Sequence, residues 1–327
     1  MDWSERIGRR IKLRDLHILL AIAQAGSIAK AASELAISQP AVSKVIADLE
    51  HALGVRLLDR DRHGAAPTIY GAALLKHGTV AFDEIKQGVK EIEFLVDPTA
   101  GELRIGSSGA MTDGLLPVIL NRLRRHHPRL TFEVTQAHTG AALYCELRER
   151  NVDLIVGRMT LPIEEDDLNA DGLFDDPQFV VAGSRNRWLR RRDIELAELM
   201  DEPWILPPTS SVARTVIAET FAACGLPVPR ADVVSSSLPL NSAMLADGRL
   251  LALWPASILR FGAKNFAVKV LPVKLPALPR PVGIITLKRR MISPVAELFI
   301  DCAREVTKPL VEAAQLSSRK GWTMAKV

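Results

Sequence analysis

Three short runs of helical spacing crowd into residues 13–54, and they fix what this end of the chain can become. Leu13, Leu16, Leu20 and Ala23 place one apolar face on a first helix over 13–25, which Gly26 ends. Ser27 is placed to cap a second helix, 28–36, with Ala31, Ala32 and Leu35 facing inward. After the corner Ala36-Ile37-Ser38, Ser38 caps a third helix whose first turn holds Pro40, where the missing N–H costs nothing. Val42, Val45, Ile46 and Leu49 form its buried stripe, and Gly54 stops it.

Two short helices joined by such a corner, the second with a polar leading face, make a helix-turn-helix. Gln39, Ser43 and Lys44 lie near the start of that second helix, where recognition helices present side chains to base edges. Gln can pair bidentately with adenine, and Lys can reach guanine or phosphate. An αα-corner with a solvated polar face satisfies the same spacing. Residues 55–70 then combine charge with Gly64 and Pro67, and Leu57 and Leu58 can anchor a small hairpin. Arg60, Arg62 and His63 would sit at its tip, within reach of phosphate or minor groove, so the segment reads as a wing; the alternative is a loop with solvated arginines.

Leu75, Gly78, Phe82, Ile85, Val89, Ile92 and Val96 alternate at spacings of three and four, the a/d period of a coiled coil. One narrow stripe of this kind predicts a dimerisation seam, and Asp97-Pro98-Thr99-Ala100-Gly101 ends the helix as a hinge. From residue 102 the pattern becomes strand and helix in alternation. Strands are expected over 103–106, 130–136 and 153–156 and helices over 114–125 and 139–150, a βαβαβ run with a parallel sheet. The acidic stretch 162–171 reads as a crossover to a second unit, with strands over 179–182, 232–235 and 251–254 and helices over 211–224 and 240–246. Strands near 268–273 and 282–287 and a helix over 293–306 close the chain, and the last 20 residues read as a loose polar tail.

Composition limits the function classes more than it selects among them. The net charge of +4 is compatible with a polyanionic partner, yet residues 1–99 hold 13 Lys+Arg against 13 Asp+Glu, so a nucleic-acid reading has to rest on pattern. No apolar run reaches the roughly 18 residues of a membrane span. Arg9-Arg10 and the stretch 16–23 imitate an export signal, but Asp15 and His17 stand at the start of the would-be apolar core. Cys145, Cys224 and Cys302 lie far apart and give neither metal spacing nor a disulfide framework, as expected in a cytoplasmic protein. His126 and His127 are adjacent and point to different faces of a helix, so they make a poor metal pair.

The stretch Gly26-Ser27-Ile28-Ala29-Lys30-Ala31-Ala32, with Leu35, Ser38-Gln39-Pro40-Ala41-Val42-Ser43-Lys44, Ile46, Leu49-Glu50, Leu53-Gly54-Val55, Leu57, Arg60, Thr68 and Gly71, closely resembles the LysR-type transcriptional regulators. The resemblance implies a mixed α+β chain. A winged helix-turn-helix occupies 11–70 and a linker helix 71–99. A two-lobed domain like type 2 periplasmic binding proteins covers 100–306, and a polar tail 307–327. Lobe I would hold 100–160 and 267–306, lobe II 161–266, with crossings near 160–166 and 265–268 acting as hinge.

The resemblance also implies a homodimer or dimer of dimers that binds an interrupted palindrome in double-stranded DNA, is switched by a small co-inducer and works with RNA polymerase. Gln39, Pro40, Ser43 and Lys44 match base- and backbone-contacting positions; Ser27, Ser38 and Arg60 match phosphate-contacting or supporting ones, with Arg62 beside them on the wing. Leu58 stands where Phe is usual and Lys44 where Arg is commoner. Pro67-Thr68-Ile69-Tyr70-Gly71 replaces the usual Leu-Thr-x-Ala-Gly, and Arg249 replaces a small Gly in a loop expected to wall the effector cleft. Linker and wing look most like the subgroup around galactose-binding-protein regulators.

An effector site in such a domain is expected between the lobes, at strand-to-helix loops. Four hydroxyl-rich clusters fit, giving Ser107, Ser108, Thr139, Thr209, Ser210 and Ser237 as candidate contacts; each also reads as an ordinary cap or turn. Gly106-Ser107-Ser108-Gly109 is not the Gly-x-Ser-x-Gly elbow, and no enzyme motif, cofactor site or metal site is legible. The competing function is a solute-binding or α/β enzyme domain whose N-terminal helices only dimerise it.

Overall fold

Leu19, Ile22, Ala31, Val42 and Ile46 are fully buried and Leu49 nearly so, which locks three helices together: α1 (Leu13–Ala25), α2 (Ile28–Glu34) and α3 (Gln39–Leu53). These belong to a computed structural model that describes residues 11–61, 64–137, 139–159, 165–262, 266–278 and 280–318. It falls into two units, one ending at Val89 and one beginning at Lys90.

In the first unit, β1 (Leu58–Asp61) and β2 (Gly64–Pro67) pair antiparallel as a wing. Glu50 of α3 ties the wing down, its carboxylate accepting from the N–H of Leu57 at 2.8 Å and of Leu58 at 3.2 Å. Gly64 is required by proximity: a Cβ there would stand 2.3 Å from the Gly26 carbonyl, and Ala65 donates to that carbonyl. The linker helix α4 runs Ile69–Val96, two residues earlier than expected, because the Thr68 hydroxyl accepts from Gly71 N–H at 3.1 Å and starts it. The a/d stripe divides along its length. Leu75, Gly78 and Phe82 turn toward Leu16 and Leu19 of α1, and Phe82 rests against His17, whereas Ile85, Val89, Ile92 and Val96 are exposed.

The second unit contains two five-stranded sheets. The sheet of lobe I runs β4 (Arg129–Gln136), β3 (Ala100–Ser107), β5 (Leu154–Arg158), β12 (Pro281–Leu287), β6 (Leu168–Asp175). The sheet of lobe II runs β11 (Val268–Val270), β7 (Gln178–Gly183), β10 (Leu251–Pro255), β8 (Trp204–Leu206), β9 (Ala231–Val234). Helices α5 (Gly109–Asp113), α6 (Leu115–His126), α7 (Gly140–Arg148) and α11 (Pro294–Ser318) accompany lobe I. Helices α8 (Val212–Ala223) and α9 (Leu238–Leu245) accompany lobe II, and α10 (Ala256–Phe261) packs on both lobes, Ile258 and Leu259 in the lobe II core and Phe261 against that of lobe I.

Several expectations are corrected here. Both sheets are mixed, with β3, β4 and β5 parallel and β12 antiparallel to β5 and β6; lobe II repeats this with β8, β9 and β10 parallel and β7 antiparallel to β10 and β11. The antiparallel neighbours are the strands adjoining the passages between lobes. The expected acidic crossover holds β6, an edge strand that buries only Leu168, Leu173 and Phe174 while polar residues face out, hence its loop-like sequence. So 168–175 belongs to lobe I and 268–270 to lobe II. The passages therefore lie between Asp175 and Gln178 and between Val270 and Pro281, where Asp176 N–H donates to the Arg280 carbonyl at 2.9 Å. Of the expected hinge residues, 160–164 and 265 lie outside the described residues.

β8 went unrecognised because it is only Trp204-Ile205-Leu206 between two prolines, and α10 because it follows β10 directly. The expected tail from 307 is the continuation of α11: Thr307 is buried and bonds the Ala303 carbonyl, and Leu310 and Val311 pack on the lobe I core. Pro309 is accommodated inside that helix.

Candidate nucleic-acid interface and effector cleft

Burial of Val42, Ile46 and Leu49 turns the opposite side of α3 outward, exposing Gln39, Pro40 and Lys44 and half-exposing Ser43. The corner before it is made by Ala36 in the left-handed region, φ 54°, which brings α3 across α2 within two residues. The Ser38 hydroxyl accepts from Ala41 N–H at 3.4 Å, a long cap. Ser27 has extended cap geometry, but its hydroxyl makes no cap hydrogen bond, contrary to expectation, and is left available. Arg60 is exposed and paired loosely with Glu50 at 3.7 Å. Arg62 lies outside the described residues.

In the second unit a cavity of about 160 Å³ lies between the lobes. Ser108 and Thr139 line it from lobe I; Thr139 caps α7, its hydroxyl accepting from Ala142 N–H at 3.2 Å. The other expected contacts move. Ser107 is fully buried and donates to the Val156 carbonyl at 3.1 Å, so it braces β3 against β5. Thr209 and Ser210 are exposed outside the cavity, and Ser211, which caps α8, lines it in their place. Ser237 caps α9, accepting from Leu240 N–H at 3.4 Å, while Ser235 and Ser236 form the wall. The loop Asp247–Leu250 takes no part in the lining; Arg249 pairs with Asp247 in solvent.

The lining also includes residues that sequence reading missed: Gln136, Tyr144, Arg158, Gln178, Asn241 and Trp254. One signal was available for Arg158, a charge ending the otherwise apolar strand Leu154-Ile155-Val156-Gly157. Its guanidinium stands 3.6 Å from the fully buried carboxylate of Asp176. Burial pushes Asp176 upward, opposed by Arg158 and by the N–H and hydroxyl of Ser257, both donating at 2.8 Å. Burial likewise draws Arg158 downward. Among the described residues there is no group of His, Cys, Asp or Glu fit to hold a metal. Cys145, Cys224 and Cys302 are free, with Cys145 and Cys224 on different lobes.

This arrangement, a winged helix-turn-helix on a long helix followed by a two-lobed α/β domain, matches two family descriptions in tandem. Residues 13–72 match the bacterial regulatory helix-turn-helix protein of the lysR family, and residues 97–308 match the LysR substrate binding domain. The chain belongs to the LysR family of transcriptional regulators. It is 28% identical over 296 residues to the regulator GbpR of Azospirillum brasilense, covering 90% of this chain and 86% of that one. To the dual regulator GltC of Bacillus subtilis it is 26% identical, covering 89% and 96%. Full-length OxyR of Pseudomonas aeruginosa, solved as a cysteine variant, shares the fold with a TM-score of 0.67 at 23% identity, covering 91% of this chain and 97% of that one. CbnR, a LysR family regulator also solved with its target DNA, gives 0.59 at 21%, covering 91% and 99%. This LysR-type regulator thus combines a DNA-binding helix-turn-helix with an effector-binding domain. Among its described residues no single helix is long and apolar enough to cross a membrane.

Proposed function

We propose that this regulator binds an interrupted palindrome in double-stranded DNA as a homodimer or dimer of dimers, in the cytoplasm, and engages RNA polymerase there. A small co-inducer in the interlobe cleft switches it, and it catalyses no reaction. The observation that carries the DNA reading is the outward face of α3, where Gln39, Ser43 and Lys44 follow one another over a fully apolar back. Gln39 and Lys44 read or steer bases; Ser27, Ser38, Pro40, Arg60 and Arg62 hold or support the sugar-phosphate backbone. Ser108, Thr139 and the flanks of the other clusters contact the effector.

The exposed half of the α4 stripe, Ile85, Val89, Ile92 and Val96, is the dimer seam, which sets the two recognition helices against the roughly 34 Å repeat of successive major grooves. The test is footprinting on the upstream region of its own gene together with binding titrations. Gln39→Ala loses about 1–3 kcal/mol on the specific site and much less on random DNA. Equal losses on both refute base readout. Val89→Glu combined with Ile92→Glu yields monomers in sedimentation that no longer bind the full palindrome.

A further inference from the structure

The interlobe cleft is apolar over most of its wall, with Leu143, Val212, Leu238, Trp254 and Ile258 among the lining side chains. Against that background two buried polar atoms have no hydrogen-bond partner among the described residues: Nη1 of Arg158 and Oδ1 of Asn241. They belong to opposite lobes, Arg158 ending β5 of lobe I and Asn241 standing on α9 of lobe II. Both residues line the cavity. The Asn241 amide nitrogen is directed to the Ser235 carbonyl at 3.4 Å, which leaves its oxygen as the acceptor without a donor. A buried donor and a buried acceptor left open in this way cost stability that a ligand supplying the complementary groups recovers.

We propose that the cleft takes a small monocarboxylate with an apolar body and a hydroxyl or amino group near the acid, its carboxylate on Arg158 and its donor group on Asn241. This deepens, and rests on, the reading of the cleft as the effector site. A single acid group is specified by charge. Arg158 is already shared with Asp176, and neighbouring Arg280 pairs with Glu219 at 2.7 Å, so the wall offers one partly engaged cation and cannot balance a phosphate dianion. The N-termini of α7, α8 and α9, capped by Thr139, Ser211 and Ser237, add partial positive charge beside that guanidinium. A neutral sugar would satisfy Asn241 and leave Arg158 Nη1 buried and open. The cavity of about 160 Å³ suits a ligand on the order of ten heavy atoms. A ligand held at both ends bridges the lobes, so it binds the closed form preferentially.

The test is thermal unfolding and calorimetry of the full chain at constant ionic strength, up to tens of millimolar probe. The probes are 4-methylpentanoate, 2-hydroxy-4-methylpentanoate, 4-methylpentanamide, D-galactose and inorganic phosphate. The hydroxy acid stabilises most, the plain acid less, and the amide, hexose and phosphate not at all. Arg158→Gln weakens both acids about ten- to a hundredfold. If that variant does not fold, Asn241→Leu, which leaves the charges in place, removes the advantage of the hydroxy acid over the plain acid. Stabilisation by neither acid, an equal response to amide and acid, or binding of the hexose or phosphate in their place overturns the proposal. An acid that binds through Arg158 without changing operator affinity leaves the ligand assignment standing and refutes the switching role. An amide or hexose that binds and alters operator affinity does the reverse.

Discussion

Asp153 and Asp176 are both carboxylates withdrawn from water in the same two-lobed unit, yet their surroundings differ in kind. Asp153 is oversupplied with cations: Arg104 donates from its backbone N–H at 2.9 Å and from its guanidinium at 2.7 Å, Arg290 donates at 2.8 Å, and Lys90 approaches to 3.7 Å. Asp176 has one guanidinium at 3.6 Å, shared with the cleft, and relies on Ser257 for its two good hydrogen bonds. Burial pushes Asp153 upward too, but the bonds from Arg104 and the charges of Lys90 and Arg104 more than offset it and hold the carboxyl below the ordinary range. At Asp176 the burial wins and the carboxyl stays raised. Asp153 ties together the end of the linker helix, β3 and the loop before α11, through Lys90, Arg104 and Arg290. Asp176 sits where the chain passes between lobes. The two carboxylates thus differ in how fully their charge is compensated: Asp153 is held by three cations, Asp176 by one guanidinium and two hydrogen bonds from Ser257.

The largest effect is expected at Asp153. Asp153→Asn leaves Arg104, Arg290 and Lys90 crowded without their anion, and the unit loses about 3–5 kcal/mol, measured by the urea midpoint at neutral pH. The pH dependence follows from the sign of the shift. A carboxyl lowered in the folded state contributes stability that is complete above its unfolded value near 4 and is lost as pH falls through the folded value. The variant therefore shows a shallower loss in acid than the parent. A variant as stable as the parent would mean that the cluster is decoration and the comparison empty.

Asp176→Asn is expected to cost less, about 1–2 kcal/mol, because the amide oxygen still accepts from Ser257 N–H and the hydroxyl can reverse its role. Here the pH sign is opposite. A carboxyl raised in the folded state costs stability while charged, so the parent gains as pH falls through the folded value toward the unfolded one. Asp176→Asn abolishes that gain. Urea titrations at a series of pH values separate the two residues by slope, and equal slopes would erase the distinction drawn between the two carboxylates.

How much of this was legible in the sequence follows the same division. The winged helix-turn-helix was readable almost residue by residue, because short amphipathic helices with Gly26, Ser38 and Gly54 at their ends encode themselves locally. Most strands and helices of the two sheets were readable, with β6, β8 and α10 among the exceptions, but the pairings were not. Nothing near 168–175 reports that its partner is Pro281–Leu287, more than a hundred residues away. The cleft was half legible. Ser108 and Thr139 announce themselves by standing after strands and Arg158 by a charge at the end of an apolar strand, whereas Asn241 acquires meaning only when the fold brings it to the cavity wall. The stripe on α4 shows the reverse failure: the period was real, but Leu75, Gly78 and Phe82 had a partner in α1 that periodicity cannot distinguish from a second chain.

The smallest expected effect sharpens the comparison most, because it changes only one hydrogen bond. Ser257→Ala removes the hydroxyl donating to Asp176 Oδ2 at 2.8 Å and leaves the backbone N–H on Oδ1 in place. Ser257 is fully buried, so the vacated carboxylate oxygen has no water to replace the lost donor. The cost is about 1 kcal/mol at neutral pH, the typical net worth of a single intramolecular hydrogen bond. The carboxyl is driven further upward, so the gain in stability on acidification begins at a higher pH than in the parent. With less help from Ser257, Asp176 leans harder on Arg158, the cation the cleft ligand is inferred to use. Monocarboxylate affinity should therefore fall modestly in Ser257→Ala, although Ser257 does not line the cavity. A Ser257→Ala protein with unchanged pH profile and unchanged monocarboxylate affinity would show that the Asp176 joint is insulated from the cleft, which Asp153→Asn could never reveal.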